Sequence, residues 1–206
     1  MAWYGLYYHG LLCNRWDLAL TSVHLARERD QLSSYATAMV GVVEVLAAPA
    51  PAAIEWLDRA VALDPTSFAA QLFRQSALAV LERWSESVVE GDALLARSGR
   101  SMLPLVYLGL TLARSGDAAA ARSVYQELQG RTTRERVMPS LLAALAALLG
   151  EDADVRRYVG EIVRVRSPDL IIVDATLGGV VVHPEIQQLL AETGVTAWRE
   201  RARGRG

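Results

Sequence analysis

Residues 53–65 read Ala-Ile-Glu-Trp-Leu-Asp-Arg-Ala-Val-Ala-Leu-Asp-Pro. Ala53, Leu57 and Ala60 are separated by steps of four and three, which puts them on one helical face. Asp64-Pro65 ends that helix, because proline disfavours helical backbone in the residue before it. The same pattern returns at a shift of 34 residues. One column holds Ala19, Ala53, Ser87, Ala121 and Val155, and the next holds Val23, Leu57, Gly91, Tyr125 and Val159. A third holds Ala26, Ala60, Leu94, Leu128 and Ile162. Gly41, Gln75, Gly109 and Ala143 form a fourth, small in three of its four places.

A self-similarity of this length means stacked supersecondary units, none of which buries its apolar face alone. Small residues at Gly41 and Gly109 let a second helix approach closely, as do Ala53 and Ala121 from the other side. Leu57 and Tyr125 then fill the groove between helices. Punctuation agrees with helix–turn–helix units. Ala47 to Pro51 breaks one helix, and Pro51 suits the first turn of the next. Gly116-Asp117 reads as a C-terminal glycine followed by an N-cap, and Gly150 with Glu151 and Asp152 repeats the signal. Ser101 reads as an N-cap for a helix expected to start near Met102.

These features resemble the tetratricopeptide repeat. Its consensus, W-x2-L-G-x2-Y, then A-x3-F, then P, is met in part by Trp3-x2-Leu6, by Val40-Gly41 and Leu108-Gly109, and by Ala53-x3-Leu57-x2-Ala60 with Pro65. The resemblance implies an all-α, right-handed superhelical solenoid of about five units, 1–33, 34–67, 68–101, 102–135 and 136–169. The third unit departs most, since Gln75, Ser87 and Gly91 replace the preferred residues, and it is expected to be the loosest part of the stack.

The tail, Val173-Asp174 followed by His183-Pro184-x-Ile186-Gln187-x-Leu189-Leu190, resembles the terminal segment behind helical repeats in a large group of bacterial signalling and transcriptional regulators. Residues 170–198 are therefore expected to form a capping segment, with a helix from Pro184, and 199–206 an Arg-rich flexible tail. In that group the repeats sit behind a DNA-binding, kinase or nucleotide-cyclase domain. The first unit begins at Met1, so either such a domain stands upstream or the stack works alone.

Composition bounds the function. Ala (32) and Leu (30) are both strong helix formers, and 52% hydrophobic residues with a net charge of -2 exclude wholesale disorder. The near-neutral charge gives no pull towards nucleic acid. The longest apolar runs, such as Leu141 to Leu149, are too short for a membrane span. Cys13 is the single cysteine, which excludes an internal disulfide and predicts a reducing, cytoplasmic setting. Met1–Gly10 lacks the positive start of a secretory signal, and Leu12 is too bulky before Cys13 for lipoprotein cleavage. All 21 basic residues are arginine, an excess that reads as genome bias.

Catalysis and cofactors find no footing. No metalloprotease, nucleophile-elbow, phosphate-loop or kinase signature is present, and Gly178-Gly179 precedes an apolar run and reads as a turn. His9, Cys13 and His24 lack the further ligand a metal site requires. The expectation is no enzyme, no cofactor and no metal. Glu86, Glu90 and Asp92 read as a solvated helix face.

By resemblance, the first helix of each unit lines a concave groove. Its inward positions are Tyr4, Tyr8 and Leu11, then Tyr35, Ala38 and Val42, then Leu72, Ser76 and Ala79. Val106, Leu110 and Ala113 follow, then Ser140, Ala144 and Ala147. The implied function is a non-catalytic protein-interaction module whose apolar, Tyr-containing groove takes a partner segment of apolar or aromatic character. The other reading is a regulatory region of a larger signalling protein. In either case a second copy of the chain is a possible partner, while direct contact with nucleic acid or membrane is not expected.

Overall fold

The computed structural model of the chain describes residues 10, 15–48, 51–132, 137–165 and 183–192. Ten α-helices and no strand occur among them. They are α1 (Trp16–Arg29), α2 (Ser34–Ala47), α3 (Ile54–Leu63), α4 (Phe68–Val80) and α5 (Trp84–Arg97). Then come α6 (Met102–Ser115), α7 (Ala118–Arg131), α8 (Pro139–Leu149), α9 (Asp152–Val165) and α10 (Pro184–Glu192). A 3-10 turn at Pro51–Ala53 leads into α3, where the fixed φ of proline suits a helix start.

Local signals set these limits. Ser33 and Ser67 stand 34 apart, and each side-chain oxygen accepts the backbone N–H three residues on, at Ala36 (3.1 Å) and Ala70 (3.3 Å). Ser101 holds the third such place, but its hydroxyl bonds the Ser98 hydroxyl (3.0 Å) and leaves the α6 amides uncapped. Asp117 caps α7 by accepting from Ala120 N (3.0 Å). Gly116 closes α6 with φ +92°, a conformation that L side chains rarely adopt.

Packing is sequential. α2 lies against α1, α3 and α4, and α6 against α5, α7 and α8. The recurring columns lie at the helix contacts: Ala19, Ala53, Ser87, Ala121 and Val155 are all buried, as are Val23, Leu57, Gly91 and Tyr125, with Val159 half-buried. Gly41 shows why a small residue is needed there. A Cβ on it would lie 2.7 Å from Leu57 Cγ, closer than real carbons approach. In the third pair the sizes are exchanged. Gln75 stands where Gly41 stands, and Gly91 where Leu57 stands, so Gln75 fills the space its partner vacates and a Cβ on Gly91 would run into the Gln75 amide. The third unit is the one expected to be loosest, because Gln75, Ser87 and Gly91 depart from the preferred residues. Gln75 and Ser87 are completely buried because the two changes compensate across the pair.

α10 packs on α9 and buries Ile186, Leu189 and Leu190 in the same apolar cluster as Tyr158 and Ile162. His183 Nε2 lies 3.4 Å from Asp152 Oδ1, anchoring the start of that helix. The readings of Val173, Asp174, the Gly178-Gly179 turn and the Arg-rich tail lie outside the described residues. No described helix is long and apolar enough to cross a membrane.

Two glycines test this packing. Gly41→Ala forces Leu57 to move and is expected to cost about 1–3 kcal/mol in urea unfolding. Gly160→Ala, in the interior of α9 with nothing within 4 Å of the added carbon, is expected to stabilise by about 0.5–1 kcal/mol through helix propensity. Equal effects at the two sites would contradict the assigned contact.

Candidate functional site

The inward positions implied by the resemblance lie at helical spacing on first helices that stand side by side, α2 against α4 and α6 against α8, with α4 meeting α6 more lightly. Tyr4, Tyr8 and Leu11 lie outside the described residues. Tyr35, in the first turn of α2, is 37% exposed, and its ring sits 6.0 Å from that of Phe73 on α4. The others are less open. Ala38 packs into the core with α3 and α4, Val42 packs with residues of α1, and Val106, Leu110 and Ala144 belong to the C-terminal core. Leu72, Ala79 and Ser140 are buried too, while Ser76, Ala113 and Ala147 are half-buried. Among the described positions, then, only Tyr35 offers a large apolar surface to solvent.

A different set of apolar side chains is accessible beside Tyr35. Leu32 is 82% exposed in the turn before α2, and Phe68 is 41% exposed where α4 begins. Leu63, at the end of α3, is 36% exposed. The Ser34 hydroxyl donates to Ala60 O (2.8 Å), which ties the start of α2 to the end of α3 and places both turns at one edge. The columns of the period carry a signal for two of these residues. Leu63 stands where three other units have Arg29, Arg97 and Arg131, and Leu32 where two others have Thr66 and Arg100. An apolar residue in a polar column is visible only after the register is set.

Asp64 shapes the second of these turns. Its carboxylate accepts from the Thr66 hydroxyl (2.7 Å) and the Thr66 amide (2.9 Å), which hold its pKa below the usual carboxylate range. On the flank, the Arg27 guanidinium lies 4.9 Å from the Trp56 ring centroid, with His24 edge-on to the same ring at 6.1 Å. His24 Nε2 is 3.3 Å from Glu44 Oε1, so its contacts are those of a helix-to-helix pair. No group of three metal-ligating side chains occurs among the described residues, and His9 and Cys13 lie outside them.

The densest polar cluster joins α7 to α9. Asp154 accepts from the Tyr125 hydroxyl (2.7 Å), Gln129 Nε2 (2.7 Å) and Arg157 Nη2 (2.7 Å). Burial opposes ionisation of Asp154, but Arg157, Tyr125 and Gln129 outweigh it and lower its pKa. Burial and the bonded carboxylate push the Tyr125 hydroxyl far above the usual phenol range. The carboxylate is committed to Tyr125 and Gln129 of α7 and to Arg157 of its own helix, and the cluster staples α9 to α7. No family model matches the chain, and no curated protein matches it either.

The staple predicts a pH dependence. Asp154 has its pKa lowered by folding, so its contribution is complete above the unfolded carboxylate pKa of about 3.9 and is lost as pH falls through the folded value. Asp154→Asn is expected to cost about 1–3 kcal/mol at pH 7. The gap from wild type should narrow when urea unfolding is repeated near pH 3. A gap that stays constant between the two would remove the charge from the account.

Proposed function

We propose that the chain is a tetratricopeptide-like, right-handed solenoid that works as a non-catalytic protein-interaction module. The observation that carries this reading is the combination of a 34-residue period with sequential packing. α2, α4 and α6 begin at Ser34, Phe68 and Met102, and each lies beside the next. A stack of this kind offers an extended row of first helices to a partner, while each repeat touches only its neighbours. The partner segment is apolar or aromatic. It engages the Tyr-rich N-terminal end, through Tyr4, Tyr8, Leu11 and Tyr35; of the continuing row, Ser76 is half-buried, and Ala38, Val42, Leu72, Val106 and Leu110 are buried and support that face from within. Tyrosines suit this role because they combine large apolar area with a polar tip at low entropy cost.

A second reading is favoured by the tail. α10 begins at Pro184, where the resemblance to bacterial regulators expects a terminal helix, and it covers α9. On that reading the stack is the regulatory region of a signalling protein, and sequencing the gene upstream of Met1 tests it: an in-frame effector domain there would support this reading over the module.

The module reading is tested with the triple variant Tyr4→Ser/Tyr8→Ser/Tyr35→Ser. Affinity for a partner captured by the wild-type chain from its native host should fall by about tenfold or more, the loss of a modest hot spot. Unchanged affinity, with the helical circular dichroism intact, would refute the assigned surface.

A further inference from the structure

The apolar interior of this stack is divided. One cluster links α1 to α2, and a second links α2, α3 and α4; Phe73 packs on both, so α1–α4 share one apolar mass. A third cluster runs from Leu95 to Leu190 and shares no residue with the other two. The division falls inside the third helix pair, between α4 and α5–α6.

Leu72 and Ala79 of α4 and Leu94 of α5 are buried yet belong to none of the three clusters, and much of what bonds across the boundary is polar. The Ser87 hydroxyl of α5 donates to Gln75 O of α4 (2.9 Å) and lies 3.1 Å from the Thr111 hydroxyl of α6. Gln75 Nε2 reaches Pro104 O of α6 (3.4 Å), while its Oε1 is buried with no hydrogen-bond partner. Arg74 pairs with Glu90 (2.7 Å), Arg97 bonds Gln71 (2.5 Å), and Arg114 donates to Ala79 O (3.3 Å). The first helices also touch least here, α4 against α6, compared with α2 against α4 and α6 against α8, although α4 itself packs closely on α5. Backbone geometry marks the same place. The two described non-glycine residues with positive φ, Glu82 (+59°) and Arg100 (+57°), bracket α5.

We propose that this seam is a hinge, on which the block α1–α4 swings relative to the block α5–α10. The physics favours motion here over the apolar contacts within each block. Opening an apolar contact exposes surface that water solvates poorly. Opening this one exchanges buried hydrogen bonds for bonds to water, with a small net difference. The Gln75 Oε1, unsatisfied when the seam is closed, gains hydration when it opens. Movement at the seam changes the curvature of the row of first helices, so a partner spanning both blocks selects one setting of the stack. The hinge stands on the packing alone, whatever the stack binds.

The test uses the full chain with Cys13→Ser and spin labels at two exposed sites, Glu55→Cys on α3 and Ala153→Cys on α9. It compares the native seam with Gln75→Leu/Ser87→Ala/Thr111→Val, which makes the interior continuous and apolar. The native seam should give a broad or two-peaked distance distribution, and the apolar seam a single narrow one. Equal widths in the two proteins overturn the hinge. Should the triple variant fail to fold, hydrogen exchange of the native-seam chain against urea decides. Amides of α2–α3 and of α7–α8 are expected to open at separate midpoints, and one shared midpoint overturns the proposal.

Discussion

The separation between the two helices of a pair is the constraint on which the structure depends. A carbon added at Gly41 would stand 2.7 Å from Leu57 Cγ, so the helices meet with no room for a side chain on one of them. That distance brings Ala53 and Ala60 into the same interface and lets α2 reach α4 across the pair. The third pair meets the constraint with the roles reversed, the long side chain coming from Gln75 and the gap from Gly91. The reversal replaces an aliphatic filler with an amide, which needs hydrogen-bond partners once buried. Ser87 and Thr111 line the same interface, and a polar seam in an otherwise apolar stack results.

Arginine does much of the joining between units. Arg74 of α4 reaches Asp58 of α3 and Glu90 of α5 at 2.7 Å each. Arg100 holds both oxygens of Glu127, and Arg131 bonds Arg100 O as well as Glu127. Arg122 reaches Leu149 O at the end of α8 and Glu151 beyond it. Each contact uses the planar fork of the guanidinium to address two groups at once, which an ammonium does with less directional control. These pairs are partly exposed, so their individual worth is small. Their effect is to fix how one unit sits on the next. This gives the arginines a use at the unit boundaries. It does not explain the absence of lysine on the remaining surface.

Helix limits were legible in the sequence because their causes are local. Asp117 after Gly116 and Asp64 before Pro65 act within a few residues, and the structure keeps both; Ser33 and Ser67, which the sequence reading did not single out, cap their helices by an equally local bond. The buried columns were legible because a helical face repeats at steps of three and four. Two things were not. Ser101 carries the same capping signal as Ser33, yet a neighbouring Ser98 takes its hydroxyl. The accessibility of the first-helix row depends on how closely successive helices pack, and no single helix encodes that. Val42 and Leu110 belong to the face read as open and lie buried in helix packing, while Leu32, in a polar column, and Phe68 stand exposed.

The central claim is that columns 34 residues apart meet in space as small–large partners, whichever helix supplies the large one. A double-mutant cycle in urea tests it directly on the reversed pair, with Gln75→Gly, Gly91→Leu and the two combined. Each single change opens a void or forces a clash, whereas the combination restores the arrangement seen at Gly41 and Leu57. The double variant should be more stable than the sum of the singles by about 1–3 kcal/mol. Additivity within about 0.5 kcal/mol would show that the two positions do not meet, and with it the register of the stack would fall.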